Sequence, residues 1–403
     1  MRVTHIIKNK IRAHYPKIHK TRLNTLFSFV CSAMRDQRMS VTYLGRGLGR
    51  LSKTTKKHDI KRANRLIGNP RLHAERLYYY QYMATQLIGN QTNPIVLLDW
   101  SPINGQSIFQ VLRASIPIDG RSLVLFETTF SENQLNSPSA HQQVLDGLEQ
   151  VLPEGATPII VADAMFRSPW FRQVEQKGWY WVSRLRGQVS LAKEQGEFQT
   201  SYQWFEQAKE GVHLALGKTY FGKKAKHPCE GVLYKRSVKG RAVKKMRGGI
   251  SNRTNDKHHK KDANEPWLLV YRLPKRDANS AELAVSLYSQ RFKIEEGFRD
   301  VKNGKLGMGL EYANSKCIKR FDNLLLIAAL AMFHLWCIGS AAKDKGLHRS
   351  LQANSIRHRR VLSILYLGRE VCDDHRYQIS LKAFVNALRK LREMTITLKT
   401  LPE

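Results

Sequence analysis

Apolar residues recur at different spacings along the chain, and the spacing changes near residue 90. Before that point, residues such as Leu23, Leu26 and Val30 follow one another at helical intervals. Beyond it, short apolar runs of strand length alternate with helical segments, and after Leu324 the chain is helical to near its end. These changes predict a helical domain over 1–90, a mixed α/β domain over 91–335 and a helical segment over 336–403.

The middle domain reads as three strands, a helix, a strand, a helix and a strand. The first strand is the apolar run Ile95–Trp100, and Asp119-Gly120 between the next two favours a β-hairpin. A second apolar run, Thr157–Asp163, again ends in an aspartate. This order predicts a mixed α/β sheet of the ribonuclease-H-like type.

Residues 188–264 interrupt that order, and we interpret them as a β-rich insertion. Strand-like pieces such as Gly231–Tyr234 are followed by a basic, glycine-containing stretch. A strand resumes at Glu265–Val270, and one long helix is expected over Ser280–Lys302.

The run Leu324–Ala342 is nearly long and apolar enough to span a membrane. His334 lies inside it, and basic sequence on both sides sets no topology. We therefore expect a core helix that is buried all round, and no membrane association.

The charge points to a polyanionic partner. The 403 residues contain 67 Lys and Arg against 33 Asp and Glu, a net charge of +34. Basic side chains on phosphates release condensed counterions, so nucleic acid is the expected partner, whether DNA or the RNA of a ribosome-associated protein.

The five cysteines form no CxxC pair, which disfavours a zinc ribbon or a disulfide framework and fits a reducing cytoplasm. No apolar segment of a signal peptide follows Met1.

The N-terminal domain contains a candidate DNA-binding helix. Ser40 can cap a short helix that ends near Leu48, and Asp59 can cap the basic run Ile60–Ile67. A short helix, a turn and a basic helix are the parts of a helix-turn-helix, although a solvated basic helix has the same pattern. The candidate DNA contacts here are Lys61, Arg62 and Arg65.

Two strand-terminal aspartates, Asp99 and Asp163, suggest a metal site. Ligands gather at the carboxyl ends of strands in open α/β sheets, and Mg²⁺ or Mn²⁺ prefers carboxylate oxygens. An acid after a strand is also often a simple helix cap, and a two-metal site needs a third carboxylate.

The third carboxylate is Glu295, in the long helix of the middle domain. It shares one helical face with four other polar side chains: Tyr288, Arg291, Arg299 and Lys302. One position earlier lies an apolar stripe that can pack on the sheet: Leu287, Ile294, Phe298 and Val301. Glu295 suits a metal and the cations suit phosphate oxygens. An exposed amphipathic helix with internal Arg–Glu pairs is the alternative.

The spacing Tyr288-x2-Arg291-x3-Glu295-x6-Lys302 resembles the Tyr-Arg-Glu-Lys signature of a large family of bacterial insertion-sequence transposases. The resemblance extends over nearly the whole chain, including the segment Tyr234-Lys235-Arg236-Ser237-x-Lys239-Gly240-Arg241 and Arg320-Phe321-Asp322. It implies a ribonuclease-H-like core with an insertion before the glutamate. It also implies a catalytic, Mg²⁺-binding triad of Asp99, Asp163 and Glu295, in which Mn²⁺ can substitute.

That resemblance further implies the reaction and the partners. The partners are double-stranded DNA, as element ends and target, and a second copy of the chain bound through the C-terminal helices. The steps are end nicking, hairpin formation and opening, and strand transfer. Trp267 would stack an extruded base and Phe292 could stack a second, although either ring could instead belong to a core. The candidate DNA contacts of the catalytic domain are Tyr288, Arg291, Arg299, Lys302, Trp267, Lys235, Arg236, Lys239 and Arg241. A nuclease that only hydrolyses DNA, a catalytically dead DNA-binding protein and an RNA-binding protein are the alternatives.

Overall fold

The chain has a mixed α/β fold. The computed structural model describes residues 3–36, 38–49, 54–103, 108–237, 264–275, 279–305, 307–353, 355 and 358–401. The chain divides into two compact units, the first formed by Met1–Ala156 with Phe292–Lys399 and the second by Thr157–Arg291 with Thr400–Glu403.

Five helices open the first unit: α1 Thr4–His14, α2 Lys20–Arg35, α3 Val41–Leu48, α4 Lys56–Ile67 and α5 Pro70–Ile88. Ser40 caps α3 as predicted, since its side chain accepts a hydrogen bond from the Tyr43 amide. The predicted cap of α4 is wrong. Thr55 caps this helix, which begins at Lys56, three residues before Asp59, and Asp59 is buried in its first turn.

The sheet of the first unit has three antiparallel strands in the order β3-β2-β1: β1 Ile95–Pro102, β2 Phe109–Ile118 and β3 Arg121–Ser131. The predicted hairpin is confirmed, and Gly120 adopts the positive φ of 69° that its turn requires. Helix α6, Pro138–Val151, then packs on β3.

The described residues of the second unit form seven strands and three helices. They are β4 Ile159–Ala162, α7 Ser168–Gln176, β5 Tyr180–Leu185, β6 Ser190–Lys193, β7 Gln199–Thr200, α8 Ser201–Phe205, β8 His213–Phe221, β9 His227–Tyr234, β10 Trp267–Arg272 and α9 Ser280–Ser289. The strands lie in the order β4-β5-β10-β9-β8-β6-β7, and β4 is parallel to β5. Lys239 and Arg241, two predicted DNA contacts, lie outside the described residues.

The single long helix predicted over Ser280–Lys302 is interrupted. Helix α9 ends at Ser289, and α10 spans Phe292–Lys302. The physical reason is a tightened last turn, because the Gln290 amide donates to the Leu287 carbonyl and the Arg291 amide to the Tyr288 carbonyl. The predicted polar face is therefore divided between the two helices.

The remaining helices return to the first unit: α11 Ile318–Asp344, α12 His348–Leu351, α13 Ile364–Asp373 and α14 Leu381–Lys390. Helix α11 has the length and apolarity of a membrane span, yet every residue from Phe321 to Ala342 is buried by protein. Its packing against α2, α5 and α13 accounts for its composition. The predicted domain boundary at residue 335 falls inside this continuous helix.

The amphipathic face of α14 is also used within the chain. Phe384, Leu388 and Leu391 are at most 3% exposed, and α14 packs on α11. These residues are therefore part of this chain's core and do not form a free surface.

A buried ion network joins α5, β3 and α11 within the first unit. Asp322 of α11 is 2% exposed and lies 2.7 Å from the Arg76 guanidinium and 2.9 Å from His73 Nε2. The Thr129 amide donates to its other carboxylate oxygen at 2.8 Å. Burial by itself raises the pKa of Asp322, but the contacts with His73, Arg76 and Thr129 outweigh burial and hold it below its ordinary value.

We predict that Asp322→Ala destabilises the protein by about 3–5 kcal/mol, because it leaves the Arg76 cation buried without its carboxylate. The matched control is Asp344→Ala, which removes an exposed carboxylate from its pair with Lys390 and should cost less than about 1 kcal/mol. Since the folded-state pKa of Asp322 is depressed, its contribution is complete at neutral pH and is lost as the pH falls below about 4. Denaturant unfolding at pH 7 and pH 3 measures both effects. Equal midpoints for the two variants at pH 7 would contradict the network's role.

Candidate active site

Two of the three predicted carboxylates line one pocket of the first unit. Asp99 and Glu295, far apart in sequence, face an open pocket of about 400 Å³ together with Lys302. Arg299 and Glu311 also line it. The pocket therefore combines oxygen ligands for a hard cation with cations that suit a phosphate.

Asp99 is held by strand β1. Its side chain is 8% exposed, and its Oδ1 accepts a hydrogen bond from the Trp100 amide at 2.9 Å. The strand was expected to end at this aspartate, but it continues to Pro102 because the register with β2 is maintained as far as Gln110. Asp99 is thus fixed inside a paired strand and does not stand at its end.

Trp100 is anchored on the opposite side of the strand. Its indole Nε1 donates to His141 Nε2 at 3.3 Å. Burial lowers the pKa of His141 to about 4, so the ring is neutral at pH 7 and can accept this bond. The contact fixes the residue next to Asp99.

Helix α10 carries Glu295 and packs on the sheet of the first unit. Ile294, Phe298 and Val301 are at most 4% exposed, as the apolar stripe predicted. Gly297 allows the close approach, since a Cβ there would lie 2.8 Å from Ser122 Oγ. Glu295 lies one residue from the buried stripe and is exposed.

A buried ion pair supports the same helix from below. Arg113 of β2 lies 2.7 Å from Glu127 of β3, and both side chains are 1% exposed. The Arg113 guanidinium also covers the ring of Phe298 at 4.3 Å. Burial raises the pKa of Glu127 even though Arg113 opposes the shift. The helix therefore rests on a charged pair that has little access to water.

Lys302 is oriented by the end of β1. Its Nζ donates to Ser101 Oγ at 2.7 Å and to the Pro102 carbonyl at 3.2 Å. Burial, followed by repulsion from Arg113, lowers its pKa, and attraction by Asp99 offsets only part of this effect. The ammonium group is thus held at one side of the pocket.

Arg299 agrees in part with the alternative interpretation of the helix. It is 66% exposed and forms an intrahelical pair with Glu296 at 2.9 Å. Such an exposed i,i+3 pair stabilises a helix only slightly. Its partner is Glu296, so the pair does not involve Glu295.

The second unit holds Asp163, which directly follows β4. Its Oδ1 accepts from the Ala164 amide at 2.6 Å and from the Tyr288 hydroxyl at 3.4 Å, and Arg291 lies 3.6 Å from its Oδ2. Tyr288 is 4% exposed, and burial raises the pKa of its hydroxyl, with a further contribution from Asp163. Tyr288 and Arg291, which were predicted to contact phosphates, therefore both lie beside Asp163.

Trp267 begins β10 and is half-buried. Its ring lies 5.0 Å from that of Tyr288 at a steep angle, and the exposed Arg236 covers it at 5.8 Å. These surroundings differ from those of a tryptophan enclosed in a core. Lys235, the residue before Arg236, directly follows the end of β9.

The basic residues of α4 differ in their exposure and in their ion pairs. Lys61 and Arg65 are exposed, whereas Arg62 lies 3.2 Å from the buried Asp59. On α10, Phe292 is 51% exposed, which excludes the expected alternative of core packing.

The carboxylate oxygens of the three predicted ligands are of the type that a hard divalent ion prefers. Asp99 and Glu295 offer carboxylate oxygens in one pocket, and Asp163 offers one in the second unit. Among the residues described in each unit, no three His, Cys, Asp or Glu side chains form a group that could hold a metal by themselves.

Sequence reasoning missed three polar residues that line the pocket: Ser101, Asn303 and Glu311. Ser101 could have been found, because alternate residues of a strand share a face and it stands two positions after Asp99. Glu311 lies in a short 3₁₀ turn and accepts from the Gly304 amide, a loop contact that no periodicity signals.

The chain is similar over 97% of its length, at 13% identity and a TM-score of 0.40, to 78% of a chain in the cryo-EM structure of the piggyBac transposase synaptic complex with hairpin DNA. No match was found among curated proteins. Residues 90–333 match the family described as the transposase DDE domain. The match spans more than half of the chain, both pocket carboxylates and Asp163, and the chain therefore belongs to the DDE transposase domain family.

Proposed function

We propose that this protein is a Mg²⁺-dependent DNA transposase that cuts the ends of a mobile element and joins them to target DNA. Asp99, Asp163 and Glu295 are its catalytic triad. The observation that carries the proposal is the shared pocket of Asp99 and Glu295, with Lys302 oriented beside them. A merely amphipathic α10 gives no reason for Glu295 to face a buried aspartate of β1.

The ribonuclease-H-like core is part of this proposal. Support comes from the antiparallel order β3-β2-β1 in the first unit and the parallel β4–β5 pair in the second. The two aspartates lie in β1 and directly after β4. We also propose that the chain is related to the transposase of the tetracycline-resistance composite transposon.

The triad would hold Mg²⁺, with Mn²⁺ as a substitute, because its three side chains supply only oxygen ligands. Bound there, the metal would supply electrostatic stabilisation of the attacking and leaving oxygens of a phosphodiester. The chain's own contribution is positioning. Ser101 and Pro102 orient the Lys302 ammonium group, and the packing at Phe298 and Gly297 fixes the position of α10. Lys302 would therefore meet a phosphate in a fixed orientation.

Cut-and-paste chemistry through a hairpin is proposed on account of Trp267. A sharply folded strand strains its terminal nucleotides, and an aromatic ring can hold an extruded base. Trp267 is half-buried beside Tyr288, and Arg236 over its ring offers a cation for the adjoining phosphate. The ring is thus accessible yet held in place.

Double-stranded DNA is the proposed partner, and a homodimer in the end complex and a cytoplasmic location are proposed with it. The net charge of +34 and the exposed Lys61 and Arg65 of α4 support DNA binding. The buried face of α14 does not support dimerisation, so a dimer contact through these helices would use other residues.

We predict that Asp99→Asn, Asp163→Asn and Glu295→Gln each lower Mg²⁺-dependent nicking by at least about a thousandfold while end binding persists, since each removes a metal ligand. The substrate is a labelled duplex taken from the inverted repeats that flank the gene. Glu296→Gln is the matched control, because this neighbour pairs with Arg299 and Arg121. A variant that retains nicking would remove its residue from the triad.

A second prediction separates base stacking from stability. Trp267→Ala should leave first-strand nicking nearly intact and slow hairpin formation, because stacking contributes ~1–3 kcal/mol only once a base is extruded. Trp204→Ala is the control for a buried tryptophan of the same unit: Trp204 is 3% exposed, and its loss should cost roughly 3–5 kcal/mol of stability. Nicked, hairpin and blunt products are measured beside melting curves. If Trp267→Ala reduces every step and the melting temperature together, its role is structural.

The third prediction concerns α4. Arg65→Ala should flatten the slope of log affinity against log salt by about 1, because an exposed arginine on a phosphate releases about one counterion. Arg62→Ala should change the slope less, since Asp59 already neutralises this side chain. Fluorescence anisotropy with end DNA at several salt concentrations measures both slopes. An unchanged slope for Arg65→Ala would place α4 away from the DNA.

A further inference from the structure

Four aromatic rings form a row in the second unit, and three of them lie directly opposite one another on adjacent strands. His213 of β8 is the register partner of Tyr234 of β9, and Tyr234 is the partner of Trp267 of β10. Directly opposed residues of neighbouring strands project from the same face of a sheet. Tyr288 of α9 continues the row towards Asp163.

The rings contact each other along the whole row. The rings of His213 and Tyr234 are stacked, with centroids 4.5 Å apart and planes within 9°. The ring of Tyr234 lies 6.0 Å from that of Trp267 in a tilted arrangement. His213, Tyr234 and Trp267 are all half-buried, so part of each ring is open to solvent.

Basic groups border this row. The exposed Arg236 lies over Trp267 at 5.8 Å, and Lys235 follows Tyr234 in the chain. The Pro266 carbonyl before Trp267 accepts from Arg184, which together with Arg186 pairs with Glu265. The hydrogen bond from Arg184 therefore holds the start of β10, and the exposed Arg236 lies over the Trp267 ring.

Partly exposed aromatic rings with cations beside them suit unpaired nucleic acid, because bases can pack on the open parts of the rings and each phosphate needs a counter-charge. A duplex cannot use such a row, since its base faces are already stacked on each other.

We propose that Tyr234 and His213 form a stacking platform for the unpaired nucleotides next to the base held by Trp267. The ligand class is single-stranded DNA at the element end, two nucleotides beyond the extruded base. This inference deepens the proposed function and rests on the assignment of Trp267 to base stacking. It assigns β8 and β9 of the insertion a direct role in holding the opened strand.

The test compares binding of two end duplexes by the full-length protein. One is blunt, and the other carries a three-nucleotide unpaired extension with 2-aminopurine at its second or third position. The variants are Tyr234→Leu and His213→Leu, which retain apolar bulk without an aromatic face. Tyr234→Phe retains the ring, and Tyr202→Leu removes a 55% exposed tyrosine that is not part of the row.

The wild type should bind the extended end more tightly and quench the 2-aminopurine signal. Tyr234→Leu and His213→Leu should each reduce that preference about fivefold or more, the loss of one base–aromatic stack. Binding of the blunt duplex and the melting temperature should not change. Tyr234→Phe and Tyr202→Leu should behave as the wild type.

Two results would overturn the platform: equal binding of both duplexes by the wild type, or an unchanged preference in Tyr234→Leu and His213→Leu. In either case, metal-dependent nicking by the wild type shows that the transposase function stands without it. Conversely, a preference that depends on Tyr234 in a protein without nicking activity supports the platform and refutes the transposase function.

Discussion

The close approach of α10 to the β1–β3 sheet is the constraint on which the pocket of Asp99 and Glu295 depends. Gly297 permits it, because any larger residue would meet Ser122. Phe298 then lies under the Arg113 guanidinium. Glu295 and Lys302 acquire their positions beside Asp99 only because the helix lies this close to the strand. The buried Arg113–Glu127 pair beneath them is costly to desolvate, and its contact with Phe298 explains its place in the sheet.

The second unit has its own organising contact, between Asp163 and the last turn of α9. Tyr288 donates to this aspartate and touches Trp267, so one phenol links a metal-ligand candidate to the aromatic row. In the proposed reaction, phosphate chemistry and strand distortion must occur together. The contacts of Tyr288 provide a physical connection between these two tasks within a single unit.

Sequence patterns predicted what is governed by local chemistry. The Ser40 cap, the Asp119-Gly120 hairpin and the buried helix α11 follow from capping, turn and apolarity rules that act over a few residues. The interruption between α9 and α10 could not be predicted, because Gln290 and Arg291 are both good helix formers. The alignment of His213 with Tyr234 depends on strand register, which no single segment encodes. The proposed triad rests on residue spacing and the family resemblance, because periodicity alone left an ordinary amphipathic helix open.

The proposed catalytic triad of Asp99, Asp163 and Glu295 is tested most directly by crystallography with Mn²⁺. Crystals of the protein with nicked end DNA and Mn²⁺ give anomalous difference peaks at bound metals. Peaks are expected with carboxylate oxygens of Asp99, Asp163 and Glu295 at roughly 2.0–2.3 Å. Peaks ligated by other side chains, or a centre that Asp163 does not reach, would contradict the proposed triad.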